Sequence, residues 1–231
     1  MTLRRSFFSL FAALGLMLMS TLAAFAQDGS PTPSSATMQP PPLAVQIDDV
    51  SGKSIGTATF TGNADNSVTV EVNVSGLKPG EHGIHIHENG VCDPSGADPF
   101  ASAGAHFNPT NMQHGAPIAL TAEATPSTDT GVASPITANV AAGSATPEAG
   151  SPHDGDLGNI TVDASGAGTL TITTSQFTLM SGQPNTLQSA TGTAIVIHDG
   201  KDDLMTQPSG DSGGRIACGV VFAPQGTPVA S

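Results

Sequence analysis

Three of the seven histidines in this chain of 231 residues fall in one short run, His82-Gly83-Ile84-His85-Ile86-His87. In an extended strand, residues two apart share a face, so His85 and His87 project together while His82, Ile84 and Ile86 take the opposite face. Two imidazoles on one face can meet one metal ion. His82, lying with the apolar residues, reads as a hydrogen-bonded core histidine. His106 and His114 follow in a Gly-, Asn- and Pro-rich stretch, His153 precedes Asp156 by three residues, and His198 closes the apolar run Ile195-Val196-Ile197. Imidazole suits copper and zinc. Three histidines with an aspartate read as a closed tetrahedral zinc site, whereas four histidines without a carboxylate favour copper. The competing reading is a histidine-bearing surface with adventitious metal affinity. His-Glu-x-x-His and phosphate-cradling glycine loops are absent.

The elements that must position these side chains are short alternating runs broken by Gly, Asn and Asp: LAVQI, IGTATF, SVTVEVNV, HGIHIH, GNITV, GTLTITT, GTAIVIH and IACGVVF. Period-two alternation predicts half-buried strands, and no window offers a long capped amphipathic helix. Eight such strands predict an all-β, antiparallel sandwich or flattened Greek-key barrel whose core rests on Val, Ile, Leu and Ala.

The ends and one internal stretch stand apart. Arg4 and Arg5 precede an apolar run from Phe7 to Phe25 that ends in Ala24-Phe25-Ala26, which predicts a secretory signal over 1–26. Residues 27–42 read as a flexible Pro- and Ser-rich leader and 227–231 as a tail, with the folded domain over 43–226. Residues 116–152, rich in Ala, Thr, Pro and Ser, read as a low-complexity surface insertion, the alternative being an extra hairpin built on Pro117–Leu120 and Pro135–Val140. Loss of the signal leaves four Lys and Arg against 19 Asp and Glu, a formal −15, which disfavours nucleic acid and anionic membrane as partners, and cleavage leaves no stable membrane insertion. Two cysteines in an exported chain, Cys92 and Cys218, predict one disulfide.

In order, GEHGIHIHENGVC, SAGAHFNPTNMQHG, HDGDLGNI, IVIHDGKDDL and GGRIACGV resemble the signature segments of copper, zinc superoxide dismutases. The resemblance spans most of residues 43–223 and implies a flattened eight-stranded Greek-key β-barrel with long metal-binding loops. It implies copper held by His85, His87, His106 and His198, and zinc by His106, His114, His153 and Asp156, with His106 shared between the ions. Asp202 stands where the family links a copper histidine, His85, to a zinc histidine, His114. Arg215 stands where the family attracts and orients the anionic substrate, and the half-cystine positions in GVC and ACG match Cys92 and Cys218. The implied activity is dismutation of superoxide to molecular oxygen and hydrogen peroxide, with His106 supplying a proton, in an exported protein of the bacterial periplasm, cell envelope or exterior. The competing class is a non-catalytic periplasmic copper carrier. A homodimer is compatible with the family, whose members pair through different surfaces or stay monomeric.

Two departures set further expectations. The family has a much shorter gap than the 38 residues between His114 and His153, so loop-closure entropy predicts weaker zinc retention. The segment from His198 to Arg215 is also short and holds only Lys201 as an additional cation, which predicts modest long-range steering.

Overall fold

The computed structural model describes residues 40–119, 121–122 and 152–226. The predicted signal, most of the leader, the bulk of the 116–152 insertion and the tail lie outside these residues. The chain order is β1 (Leu43–Asp49), β2 (Ser54–Gly62), β3 (Val68–Val74), β4 (Gly80–His87), β5 (Thr121–Ala122), β6 (Asp156–Val162), β7 (Gly168–Thr174), β8 (Thr193–His198) and β9 (Arg215–Phe222). No helix among the described residues is long and apolar enough to cross a membrane.

Eight of these strands close a ring in the order β3-β2-β1-β9-β8-β4-β6-β7, and β7 returns to β3 through seven residue pairs, from Val68 opposite Thr174 to Val74 opposite Gly168. All pairings between named strands are antiparallel. The connections from β3 to β4 and from β7 to β8 each pass over two intervening strands, which makes the closure a Greek key. The ninth strand, β5, was not among the eight expected. Its two residues pair with Thr173 and Ile172 of β7. β6 pairs with β7 only at Thr169 and Gly168, so the far half of that β7 edge is open, and β5 takes it.

Alternation builds the core. Val68, Val70, Val72 and Val74 point inward from β3, joined by Phe60, Phe177, Leu187, Ile84, Ile86, Ile195 and Ile197. β4 and β8, however, are buried on both faces over most of their length. Ile84 and Ile86 of β4 sit opposite Ile197 and Ile195 of β8 in the barrel interior, whereas His85 and His87 face out, opposite Val196 and Ala194. The outer face is covered by the loop after β4, whose Phe100 and Ala103 pack on Ala194, Val196 and Cys218.

Cys92 and Cys218 form a disulfide, with Cα atoms 5.7 Å apart across 126 residues of sequence. It fastens that covering loop to β9. Because the bond closes so long a loop, replacing both cysteines by serine is expected to lower unfolding free energy by about 3–5 kcal/mol, read by urea denaturation. A midpoint unchanged in the double variant would show that packing alone holds the loop down.

Candidate metal centre

Pleating places His85 and His87 on the outer face of β4, and His198 reaches the same region from the end of β8. His106 arrives from the covering loop, where it forms an isolated antiparallel bridge with His87. One ring nitrogen of each is held. His85 Nε2 meets Asp202 Oδ2 at 2.7 Å, His87 Nδ1 meets the Gly104 carbonyl at 3.0 Å, His198 Nδ1 meets the Gly213 carbonyl at 3.1 Å, and His106 Nδ1 meets Asp156 Oδ1 at 2.9 Å. The other four nitrogens, His85 Nδ1, His87 Nε2, His106 Nε2 and His198 Nε2, are buried without a hydrogen-bond partner. Each residue of this group offers a ligand atom, all within 4.8 Å of one another. The carbonyl partners of His87 and His198 require N–H at Nδ1, which leaves a lone pair on Nε2. Four buried, converging lone pairs are unfavourable in a metal-free protein and suited to a cation.

A second group adjoins the first through His106, whose two nitrogens face different neighbours. His114 stands between two carboxylates, with Nδ1 3.1 Å from Asp156 Oδ2 and Nε2 2.8 Å from Asp202 Oδ1. His153 brings Nδ1 within 3.4 Å of His106 Nδ1 and 3.5 Å of Asp156 Oδ1. The set of ligand atoms mutually within 4.8 Å takes in His85, His106, His114 and Asp156 rather than His153. Of the two nitrogens of His85, Nε2 meets Asp202 and Nδ1 belongs to the first group.

Protonation follows burial and partners. Burial drives His85 down to about 3 and His198 to about 4, and it lowers His87 and His106 as well, so these rings are neutral and free to donate lone pairs. Burial pulls His114 the same way, but hydrogen bonds to Asp156 and Asp202 outweigh it and lift the ring to about 9. For Asp156 and Asp202, burial is overcome by histidine hydrogen bonds, and both carboxyls lie well below the usual range. The second group thus pairs a protonated His114 with the Asp156 carboxylate, whereas the first group consists of neutral rings.

Of the remaining sequence candidates, His82 has both ring nitrogens against backbone carbonyls, those of His198 at 2.7 Å and Lys78 at 2.8 Å, which leaves neither open to a metal. Arg215, half-buried, donates to the Phe100 and Gly104 carbonyls at 2.6 Å each. Gly104 also accepts from His87, so one carbonyl joins the guanidinium to a ring of the first group. Lys201, the other cation expected near the site, is bound to Glu81 at 2.6 Å. Sequence reasoning missed two glutamines that grip the loops. Gln207 accepts from the His114 N–H at 2.8 Å and donates to the His114 carbonyl at 2.9 Å. Gln176 does similar work beside His153. Neither lies in a signature segment, so no motif could have found them.

The fold and the two adjoining groups of buried side chains define a β-barrel protein with ligand sets that could hold metal ions. The chain belongs to the copper/zinc superoxide dismutase family, whose description matches residues 54–221. It is 37% identical over 218 residues to a protein of Deinococcus radiodurans named superoxide dismutase [Cu-Zn], covering 91% of this chain and 93% of that one. Among solved structures it is similar to an SOD-like protein from Bacillus subtilis, at 28% identity and TM-score 0.58, covering 80% of this chain and 99% of the other. The Cu/Zn superoxide dismutase of Brucella abortus, 24% identical with TM-score 0.53 over 78% of this chain and 99% of its own, shares the fold.

Proposed function

We propose that copper binds at His85 Nδ1, His87 Nε2, His106 Nε2 and His198 Nε2, and zinc at His106 Nδ1, His114 Nδ1, His153 Nδ1 and Asp156. The chain is a copper- and zinc-dependent superoxide dismutase. The observation that carries the copper assignment is the set of four orphaned buried nitrogens, three of them, on His85, His87 and His198, fixed in their tautomer by a bond on the other side of the ring. For zinc, a tetrahedral ion with bonds of about 2.0–2.1 Å needs ligand atoms about 3.3 Å apart. His106 Nδ1, His153 Nδ1 and Asp156 Oδ1 are separated by 2.9, 3.4 and 3.5 Å, and His114 Nδ1 lies 3.1 Å from the other carboxylate oxygen, Oδ2. These values suit a small cation and include His153.

A copper ion held there supplies the redox couple that oxidises one superoxide to dioxygen and reduces the next to hydrogen peroxide, beside a redox-inert zinc. Arg215 attracts and orients the anion from its fixed position against Phe100 and Gly104. His106 Nε2, with its ring oriented by Asp156, is the atom that can hold a proton and pass it to the reduced product. Asp202 sets the tautomers of His85 and His114 together.

Metal-loaded protein is expected to suppress cytochrome c reduction driven by xanthine oxidase, and stripped protein to lose that effect. Absence of suppression by protein with copper bound would return the chain to the carrier class. We infer export to an oxidising compartment from the Arg4-Arg5 signal pattern and the Cys92–Cys218 bond.

A further inference from the structure

The 38 residues between His114 and His153 leave and re-enter the metal centre at described positions. On the outgoing side, the Gly115 N–H donates to Asp156 at 3.0 Å, the Ile118 N–H donates to Gln176 Oε1 at 2.9 Å, and the Ile118 carbonyl accepts from Thr174 Oγ1 at 2.9 Å. Thr121 and Ala122 then join the open edge of β7. On the returning side, Gln176 Nε2 donates to the His153 carbonyl at 2.9 Å, and the His153 N–H donates to Asp156 at 3.0 Å. One side-chain amide therefore touches both stems. Gln176 is itself anchored: its N–H donates to Thr174 Oγ1, its carbonyl accepts from Asn185 Nδ2, and the next residue, Phe177, is fully buried in the barrel core.

We propose that Gln176 is a positioning residue for the zinc half of the site, closing the zinc loop against the barrel and holding His153 independently of the chain between the stems. The inference rests on the assignment of His153 to zinc. Loop-closure entropy is set by the segment that must be ordered to bring the ligands together. Where both stems are bonded to β7 and the residue two beyond it, the ligands are placed by the barrel, and the length of the intervening segment drops out. The weakened zinc retention expected from spacing alone is replaced by dependence on one glutamine.

The test compares the intact protein, Gln176→Leu, Gln176→Glu and a variant lacking residues 124–150. Each is loaded with zinc or with cobalt(II) as a spectroscopic substitute. Zinc release to a chelator should be about tenfold faster in Gln176→Leu, within the range for residues that orient metal ligands, and the cobalt ligand-field bands should shift. Gln176→Glu keeps the acceptor for Ile118 but cannot donate to His153, and should also release zinc faster. The deletion should stay within twofold of the intact protein. Intact-like release and spectra in both Gln176 variants would overturn the proposal, as would a deletion that changes release as much as Gln176→Leu. His153→Ala separates the two readings: an unchanged cobalt spectrum there removes the ligand assignment, whereas a lost spectrum beside unaltered Gln176 variants removes only the role of Gln176.

Discussion

Arg215→Glu should reduce kcat/KM for superoxide about a hundredfold at low ionic strength, within the range by which a focused local charge changes association of an ionic substrate. The reason lies in how few cations are free to act. Among the described residues the cations are Lys53, Lys78, Lys201 and Arg215, and two of these face carboxylates, Lys78 with Asp199 at 3.1 Å and Lys201 with Glu81 at 2.6 Å. Arg215 is bonded only to carbonyls, so its charge is not cancelled by a contacting acid. It is also close enough to depress His87 and His198 further, after burial. On a chain whose formal charge is −13, an approaching anion meets a repulsive field on average, and Arg215 is the cation that shares a carbonyl, that of Gly104, with a ring of the first group. Salt should slow the wild-type enzyme by screening attraction and speed the Arg215→Glu variant by screening repulsion. Arg215→Lys keeps the charge but cannot fork to both carbonyls, so it should lose less. Stopped-flow decay of superoxide across ionic strength measures all three. A charge-reversed variant within twofold of wild type would remove Arg215 from substrate capture.

The strands were legible because a half-buried strand writes its geometry into alternate residues: the Val68 to Val74 run has the same period in sequence as in burial. The first metal group was legible in part for the same reason, since His85 and His87 differ by two and must share a face. Grouping His106, His114, His153, Asp156 and His198 required the family's ordered segments, because these residues meet through loops whose paths no local pattern encodes. What stayed hidden were contacts between a side chain and distant backbone. Gln176 reaches Ile118 across 58 residues, and Gln207 reaches His114 across 93. A glutamine bonded to a peptide group looks no different in sequence from a solvated one. Lys201 shows the same limit: its charge was visible, but its partner Glu81, 120 residues away, was not. The two-residue β5 was unreadable because it exists only where β6 leaves half an edge of β7 open.

Asp202→Ala should weaken both metal sites, although Asp202 is expected to touch neither ion. Its carboxylate is fully buried and accepts from His85 Nε2 at 2.7 Å, His114 Nε2 at 2.8 Å and the Leu204 N–H at 2.6 Å. Its own backbone is held on both sides by Asn159, which accepts from the Asp202 N–H and donates to its carbonyl. Gly210, at φ 66°, lies where a Cβ would run into Asp202 Oδ1 and His114 Nε2, so even the backbone beside the carboxylate is shaped for this contact. Removing the carboxylate strands two buried ring N–H groups. Each ring can relieve that loss only by moving its proton to Nδ1, the atom that faces the metal group, and a protonated Nδ1 cannot be a ligand. Metal binding must then reverse the tautomer against an unsatisfied Nε2. The expected result is a loss of about 10–100-fold in affinity at each site, the range for groups that orient metal-binding histidines. Asp202→Asn should fall between, because one amide oxygen can still accept from one ring while the amide nitrogen opposes the other. Chelator competition for copper and for zinc, run separately, gives both affinities. A loss confined to zinc would mean that His85 keeps its tautomer without help, and wild-type affinity for both ions would end the argument that Asp202 couples the two halves of the centre.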